Sequence, residues 1–495
     1  MDKRQLKLGP LLGIEGETRY TVCFLTDHRA TQACVLANGT TFNATVVGKP
    51  YSGLFWRAEL DLPAPASGSL ISYQIDIDGL IASDQSSTFE WSFYLPGQHE
   101  HAKVAYASCN GFSDLKLMNT TPDPYAVWDQ LLKMHRDQAF SMLLMGGDQV
   151  YADSIWTVVP TLKEWNALPL EEKIKRKASK LMIDHLDRFY CELYCERWKQ
   201  QPVATALATI PTVMMWDDHD IIDGWGSFPA KLQECAVFQA IYAAAAKHFE
   251  LFQLRGAAHN QSRIAHQGSN VHYSLGFTFR EQTIVALDNR SERTIERVMG
   301  QIHWNEINAF VDRVREGDLL VMVAVPVVYR DFSFVENAFD ATPWEEELSD
   351  DLKDHWRARE HQGERARLIM RLLDNARERS GKTVLLSGDV HVGCLGVVKD
   401  NTGSKTINLH QVVSSGIVHP APTHIQWMGI LATTNDRTEQ LDENGRICID
   451  MLKVFGAGTY FRTRNFVTLE HGNDNKLWVN WICENGEKPA YPLNG

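Results

Sequence analysis

Short apolar runs that each end on Asp, His, Cys or Tyr most constrain this chain. KVAYAS runs into Ser108-Cys109-Asn110. SMLLMG runs into Gly147-Asp148-Gln149-Val150-Tyr151-Ala152-Asp153. TVMMW runs into Asp217-Asp218-His219-Asp220, and TVLLS into Gly388-Asp389-Val390-His391. A run apolar at nearly every position reads as a strand buried on both faces. In an open α/β sheet, ligand and metal groups sit just past the carboxyl ends of such strands. Four ends of this kind in one domain can gather Cys, Asp, Tyr and His around metal ions.

The rest of the chain supports a layered α/β reading. DPYAVWDQLLKMHRDQ, AKLQECAVFQAIYAAAAKHFELF (230–252) and ERARLIMRLLDNARERSG (364–381) carry apolar residues at helical spacing, between runs such as TIVALDNR, LLVMVAVPVVY and INLHQVVSSG. Residues 160–200 carry no strand signal and read as a helical insertion over one sheet face. NFVTLEHG and KLWVNWIC, separated by Asn473-Asp474-Asn475, read as a C-terminal β-hairpin. Residues 1–98 differ: YTVCFLTD, LFWRAELDLP, LISYQIDIDG and FEWSFYLPG alternate apolar and polar residues, with turn signals at Asn38-Gly39, Asp78-Gly79 and Pro96-Gly97. That is the pattern of a β-sandwich of the fibronectin or immunoglobulin type. The expected fold is therefore an α/β layered domain over 99–495, sheets flanked by helices, with an N-terminal all-β sandwich over 1–98.

Charge and cysteine content exclude several classes. The formal net charge is −13, which argues against a nucleic-acid partner held by bulk charge. An anionic substrate stays open, because metals and a few Arg reverse the local field. The acidic EEELSDD segment (345–351) reads as a solvated helix start. Nine Cys without a CxxC pair are no disulfide framework. No apolar run is long enough to span a membrane and no signal peptide is visible, so the expected location is cytoplasmic. The sequence gives no oligomeric state.

The motifs carry specific chemistry. Asp148 follows a Gly pair, and its two oxygens suit bridging two cations. Tyr151 offers a phenolate, which suits a hard trivalent ion such as Fe(III). Asp217, Asp218 and Asp220 crowd around His219, an arrangement costly to bury without a cation. His219, held cationic by those carboxylates, can give a proton to a leaving oxygen. Asp389 and His391 lie two apart, so on an extended segment both face one side and meet one metal pair. Cys109 becomes a thiolate beside a metal. Arg290 reads either as a phosphate clamp or as a salt bridge to Asp288 or Glu292. His272, His303 and His419 are second-rank candidates, with a structural role the favoured reading of each. From the residues alone the site is mixed: oxygen ligands with one thiolate and one imidazole do not suit an all-Ca²⁺ cage.

In order along the chain, these motifs resemble the PhoD-like alkaline phosphatases of the calcineurin-like metallophosphoesterase superfamily. Leu287-Asp288-Asn289-Arg290 resembles the DTR segment of that family, and Met299-Gly300-Gln301-Ile302-His303-Trp304 its LGxxQxxW segment. Asp354-His355-Trp356 with Glu364-Arg365 resembles its D-x-W…ER helix. The resemblance implies a metal shell of Cys109, Asp148, Tyr151, Asp218, Asp389 and His391, with His219 catalytic. It implies Fe(III) and a divalent ion, Ca²⁺ before Mg²⁺, Mn²⁺ or Zn²⁺. The implied activity is hydrolysis of a phosphoester, mono- or diester, by a metal-bridging hydroxide that attacks phosphorus in line. Candidate substrates are a small phosphoester, a nucleotide or a phospholipid head group. Two rivals stay open: hydrolysis of another ester on the same scaffold, and a scaffold protein with a decayed metal site. Three departures stand out: Ser108-Cys109 replaces the superfamily's Asp-x-His, Asp220 replaces the usual Glu, and Pro326 stands where a His commonly ends a strand.

Overall fold

The computed structural model describes residues 5–265, 271–331 and 355–493. EEELSDD and Asp354 lie outside the described residues. Eight strands form the N-terminal region: Leu8–Ile14 (β1), Arg19–Thr26 (β2), Ala33–Ala37 (β3), Thr40–Gly48 (β4), Leu54–Asp61 (β5), Ser69–Ile77 (β6), Leu80–Ile81 (β7) and Trp91–Leu95 (β8). β4 makes the sandwich corner. Its first half pairs with β3 up to Ala44, and from Ala44 onward it pairs with β5. A strand that changes sheets in this way lets β1, β2 and β5 face β3, β6 and β8. The β3–β4 hairpin turns on Asn38 and Gly39, with φ of 47° and 74°. Positive φ at both central residues is what a two-residue turn between twisted strands requires.

The four apolar runs are Val104–Ala107 (β9), Met142–Gly146 (β10), Thr212–Met215 (β11) and, after Leu275–Phe279 (β12), Gln282–Leu287 (β13) and Asp318–Val323 (β14), Thr383–Ser387 (β15). The last third adds Gly393–Asp400 (β16), Ile407–Val413 (β17), Glu439–Gln440 (β18), Ile447–Leu452 (β19), Tyr460–Phe461 (β20), Asn465–His471 (β21), Leu477–Cys483 (β22) and Ala490–Leu493 (β23). β9, β10 and β11 are parallel, and β21, β22 and β23 extend their sheet antiparallel. β13, β14, β15 and β17 are parallel in a second sheet.

The two sheets stack face to face, and side-chain alternation shows how. Ile284, Ala286, Leu320, Met322, Val384 and Leu386 join the core shared with β9, β10 and β11. Their neighbours Val285, Leu287, Leu319, Val321 and Leu385 point the other way, into helices 301–311 and 362–378. Helices 126–137, 180–198, 201–209 and 236–252 contribute Trp128, Tyr190, Trp198, Leu207 and Phe249 to the core of the first sheet. The order of layers is helix, sheet, sheet, helix. Both sheets are covered on both faces, which is why their strands read as continuous apolar runs.

Candidate active site

The carboxyl ends of β9, β10, β11 and β15 converge. Ligand atoms of Cys109, Asp148 and His391 all lie within 4.8 Å of one another, as do those of Asp148, Asp218 and His219, and those of Asp217, Asp218 and Asp389. Asp148 belongs to two of these groups and Asp218 to two. Tyr151 joins them: its hydroxyl donates to Asp148 Oδ2 at 3.4 Å and lies 3.4 Å from His391 Nε2. Asp148 is 1% exposed, and its Oδ1 has no hydrogen-bond partner.

The backbone is bent to bring these groups together. Cys109, Asp148, Asp389 and His391 have φ of 54°, 54°, 65° and 53°. Non-glycine residues rarely occupy this left-handed region, and they do so mainly where surrounding structure forces it. The extended segment expected over Asp389 and His391 is therefore corrected. β15 stops at Ser387, and two left-handed residues, rather than an i, i+2 strand face, turn both side chains toward the cluster. Two glycines permit the approach. A Cβ at Gly388 would lie 1.9 Å from Ser108 Oγ, and one at Gly147, whose φ is +98°, 2.8 Å from the Cβ of Asp217.

Electrostatics fit a cation. Burial first, then the Asp148 carboxylate, pushes the Cys109 thiol and the Tyr151 phenol up. Burial, followed by Asp217 and Asp218 against the opposing pull of His219, pushes Asp148 itself well above the usual carboxylate range. Burial and the nearby imidazoles His419 and His219 hold His391 down in its neutral form, the form that ligates a metal. Burial and mutual repulsion thus favour the protonated form of the Cys109, Tyr151 and Asp148 donors beside one neutral imidazole, and a cation would take the place of those protons.

The sequence pattern of PhoD-related phosphatases matches residues 81–344 and 340–453. The chain belongs to the PhoD-related phosphatase family. An uncharacterized protein of Saccharomyces cerevisiae, YGR266W, is 27% identical over 405 residues, covering 69% of this chain and 56% of that protein. The chain thus spans little more than half the length of this curated relative. Among solved structures, PhoD shares the fold with a TM-score of 0.59 at 14% identity, covering all of this chain and 93% of the other. A purple acid phosphatase, PPD1 from yellow lupin (Lupinus luteus) seeds, aligns at a TM-score of 0.49 with 11% identity over 98% of this chain and 74% of that one.

In this PhoD-related chain, His219 lies beside Asp148 and Asp218 and is held by a further carboxylate. Its Nδ1–H donates to Asp153 Oδ2 at 2.9 Å, and its ring stacks on Tyr151 at 4.3 Å. Burial alone would lower its pKa. Asp153 and Asp218 more than reverse this, so the imidazole is pushed well above its ordinary value and stays charged. Asp220 serves structure instead. Its Oδ1 accepts from the backbone N–H of Gln149 and Val150 and from Gln253 Nε2, and its Oδ2 accepts from the N–H of Asp217.

Arg290 is a correction in its partners. Its Nε donates to Asp217, its Nη2 lies 3.4 Å from Asp218 Oδ1, and its Nη1 donates to the Trp225 carbonyl at 3.0 Å. The side chain is 0% exposed. Among the described residues its carboxylate partners are Asp217 and Asp218 rather than Asp288 or Glu292. Asp288 is occupied elsewhere: it accepts from Trp216 Nε1 at 2.9 Å and from the backbone N–H of Tyr273, Arg290 and Ser291.

The other family segments are structural too. Glu364 accepts from the N–H of Val298 and Met299 and from Trp304 Nε1, tying helix 301–311 to helix 362–378. Arg365 grips Glu439 through both terminal nitrogens. His272 and His303 stack at 3.8 Å beneath Glu306 and Ser274, away from the cluster. His419 stacks on His391 at 3.7 Å, next to the cluster. Asp153 and Asp217 were legible only as members of their motifs. No spacing rule separates the carboxylate that faces His219 from those that face a cation.

Proposed function

We propose that this chain is a metal-dependent phosphoester hydrolase whose centre is built on Asp148. The observation that supports this reading most is one buried carboxylate shared between two ligand groups, with an orphaned oxygen and a charged His beside it. Cys109, Asp148, Tyr151 and His391 would hold one ion. Asp148 and Asp218, with Asp217 and Asp389 near, would hold a second. The phenol and thiol of the first group suit Fe(III), and the carboxylates of the second suit a divalent ion such as Ca²⁺. When bound, the ions supply Lewis acidity at the phosphoryl oxygens and make water nucleophilic at neutral pH.

The chain's own residues do the rest. His219 is the proton donor to the departing oxygen, because its charge is maintained by Asp153 and Asp218 and its Nε2 is not the nitrogen that Asp153 engages. Asp153 is a positioning residue that orients the imidazolium ring and favours its charged form. Arg290 pairs with Asp217 and Asp218 from within, which keeps them aimed. Gly224 N–H holds Asp218 Oδ2 at 2.8 Å.

The substrate class we propose is a small phosphoester, with nucleotides and phospholipid head groups as the natural candidates. The test is metal analysis and optical spectroscopy of the purified chain, followed by turnover of chromogenic mono- and diesters. Bound iron, a tyrosinate–Fe(III) band and turnover of at least one ester class are expected. A colourless, metal-free protein inert toward both classes would falsify the reading.

A further inference from the structure

A second group of metal-ligating side chains lies away from this centre. Ligand atoms of His101, Glu281 and His471 all lie within 4.8 Å of one another. The two imidazoles stack at 4.6 Å with planes inclined by 29°. His101 Nδ1 contacts Glu281 Oε1, and His471 Nε2 lies 2.9 Å from Asp318 Oδ2. Asp318 is in turn fixed through its other oxygen, which accepts from Lys382 N–H at 2.7 Å.

The topology gives this group a purpose. His101 precedes β9, and His471 ends β21, which runs antiparallel to β9 with Leu469 opposite Val104. Glu281 immediately precedes β13, and Asp318 opens β14. His101 therefore sits at the amino end of β9, whose carboxyl end carries Cys109, with His471 beside it, and Glu281 and Asp318 sit at the amino ends of β13 and β14, which run parallel to β15. At ~3.3 Å per residue, the chain from His101 to Cys109 spans up to about 25 Å, so the two clusters occupy opposite poles. His471 ends a strand of the first sheet and His101 leads into another, whereas Asp318 opens a strand of the second sheet and Glu281 lies in the turn before its neighbour. A bond network here joins the two sheets across their open edge.

We propose that His101, Glu281 and His471 form a structural metal site for a divalent first-row transition ion such as Zn²⁺. Two imidazoles and a carboxylate are the donor set that zinc takes, with water in the fourth position. Asp318 accepts the Nε2–H of His471, which leaves Nδ1 as the ligating nitrogen. A carboxylate behind a ligating His is the usual outer partner of such a site. Imidazole donors also separate this site from the hard-ion chemistry at the other pole, because Ca²⁺ and Mg²⁺ prefer oxygen. Tying the sheets together in the folded state only, the ion stabilises the fold by mass action.

The experiment uses the full chain, stripped with a chelator and then titrated with Zn²⁺. Bound zinc is counted by mass spectrometry, and thermal midpoints are recorded alongside. His101→Ala and Glu281→Gln are compared with the parent. The His101 side chain is 60% exposed and that of Glu281 37%, so both variants leave the core intact. The residues of the other pole are common to all three proteins, so the difference reads this cluster alone. The parent should hold one zinc equivalent more than either variant and gain several degrees more in midpoint on zinc addition. Ca²⁺ should produce no such difference. Equal zinc content and equal midpoint shifts in all three proteins would overturn the proposal.

Discussion

Asp148, Asp217 and Asp218 lie buried at one strand edge, and only Arg290 and His219 among the neighbours described above carry positive charge toward them. That imbalance gives three predictions at the level of single side chains. Asp148→Asn removes the shared carboxylate, so bound metal should fall and turnover drop by ~10³-fold or more, read by metal analysis beside steady-state rates. His219→Ala should retain metal and lose ~10²–10⁴-fold in rate. Asp153→Asn should lose less and shift the acidic-to-basic limb of the rate profile to lower pH. The sign follows from the geometry: Asp153 raises the pKa of His219, so without its charge the proton leaves at lower pH. An unchanged profile would remove Asp153 from its positioning role. Arg290→Leu leaves Asp217 and Asp218 buried without their cation, a loss of ~3–5 kcal/mol in a denaturant titration of the metal-free protein. Added metal should restore part of that loss. The gathering of these side chains was legible in the sequence because each motif ends an apolar run that reads as a buried strand. The partner of Arg290 was not, because Asp217 is 73 positions away, and no local rule reaches across two strands.

At the level of elements, the site depends on strand ends that stop abruptly. β9, β10 and β15 each run into a left-handed residue within two positions, at Cys109, Asp148 and Asp389. Gly388 makes the closest of these turns possible. Gly388→Ala would drive a methyl into Ser108, displacing the backbone that carries Cys109, at a cost of ~1–3 kcal/mol or more. Metal occupancy should fall with it, while a control Gly403→Ala, where the nearest atom is 3.7 Å away, should leave both unchanged. The strands themselves were legible. Apolar runs became the double-buried β9, β10, β11 and β15, and alternating runs became β2, β5, β6 and β8. β1 is not among the runs read from the sequence, and Gly9, Pro10 and Gly13 interrupt its apolar pattern. The structure absorbs Pro10 at a register shift between Leu8 and Leu11, where no ladder N–H is required. Gly13 lets Arg255 and Thr21 close in, since a Cβ there would lie 2.7 Å and 2.6 Å from them. Those tertiary reasons leave no periodic trace.

Across the whole molecule, β1 matters more than its length suggests. It pairs with β2 on one side and, in parallel, with β11 on the other, so the first sheet runs unbroken from the C-terminal hairpin into the N-terminal sandwich. We propose that residues 1–98 and 99–495, distinct as architecture, unfold together. The seam is welded by buried polar contacts. Arg57 grips Glu15 through two hydrogen bonds of 2.8 and 2.9 Å and also donates to the Arg255 carbonyl. Arg255 donates to the Leu12 carbonyl, Thr212 Oγ1 to the same carbonyl, and Tyr73 to that of Ala208. Arg280 of the second sheet reaches Pro96 and Gly97. Such contacts cannot be lost on one side alone, because each half would then expose unpaired buried groups. Calorimetry should therefore show one transition, and Glu15→Ala, which removes the bidentate partner of Arg57 and leaves it only the half-exposed Glu59, should lower it as a whole by ~1–3 kcal/mol without splitting it. Two resolved transitions, with only the first moved by the substitution, would show that the sandwich melts independently and that the continuous sheet carries no mechanical coupling to the site.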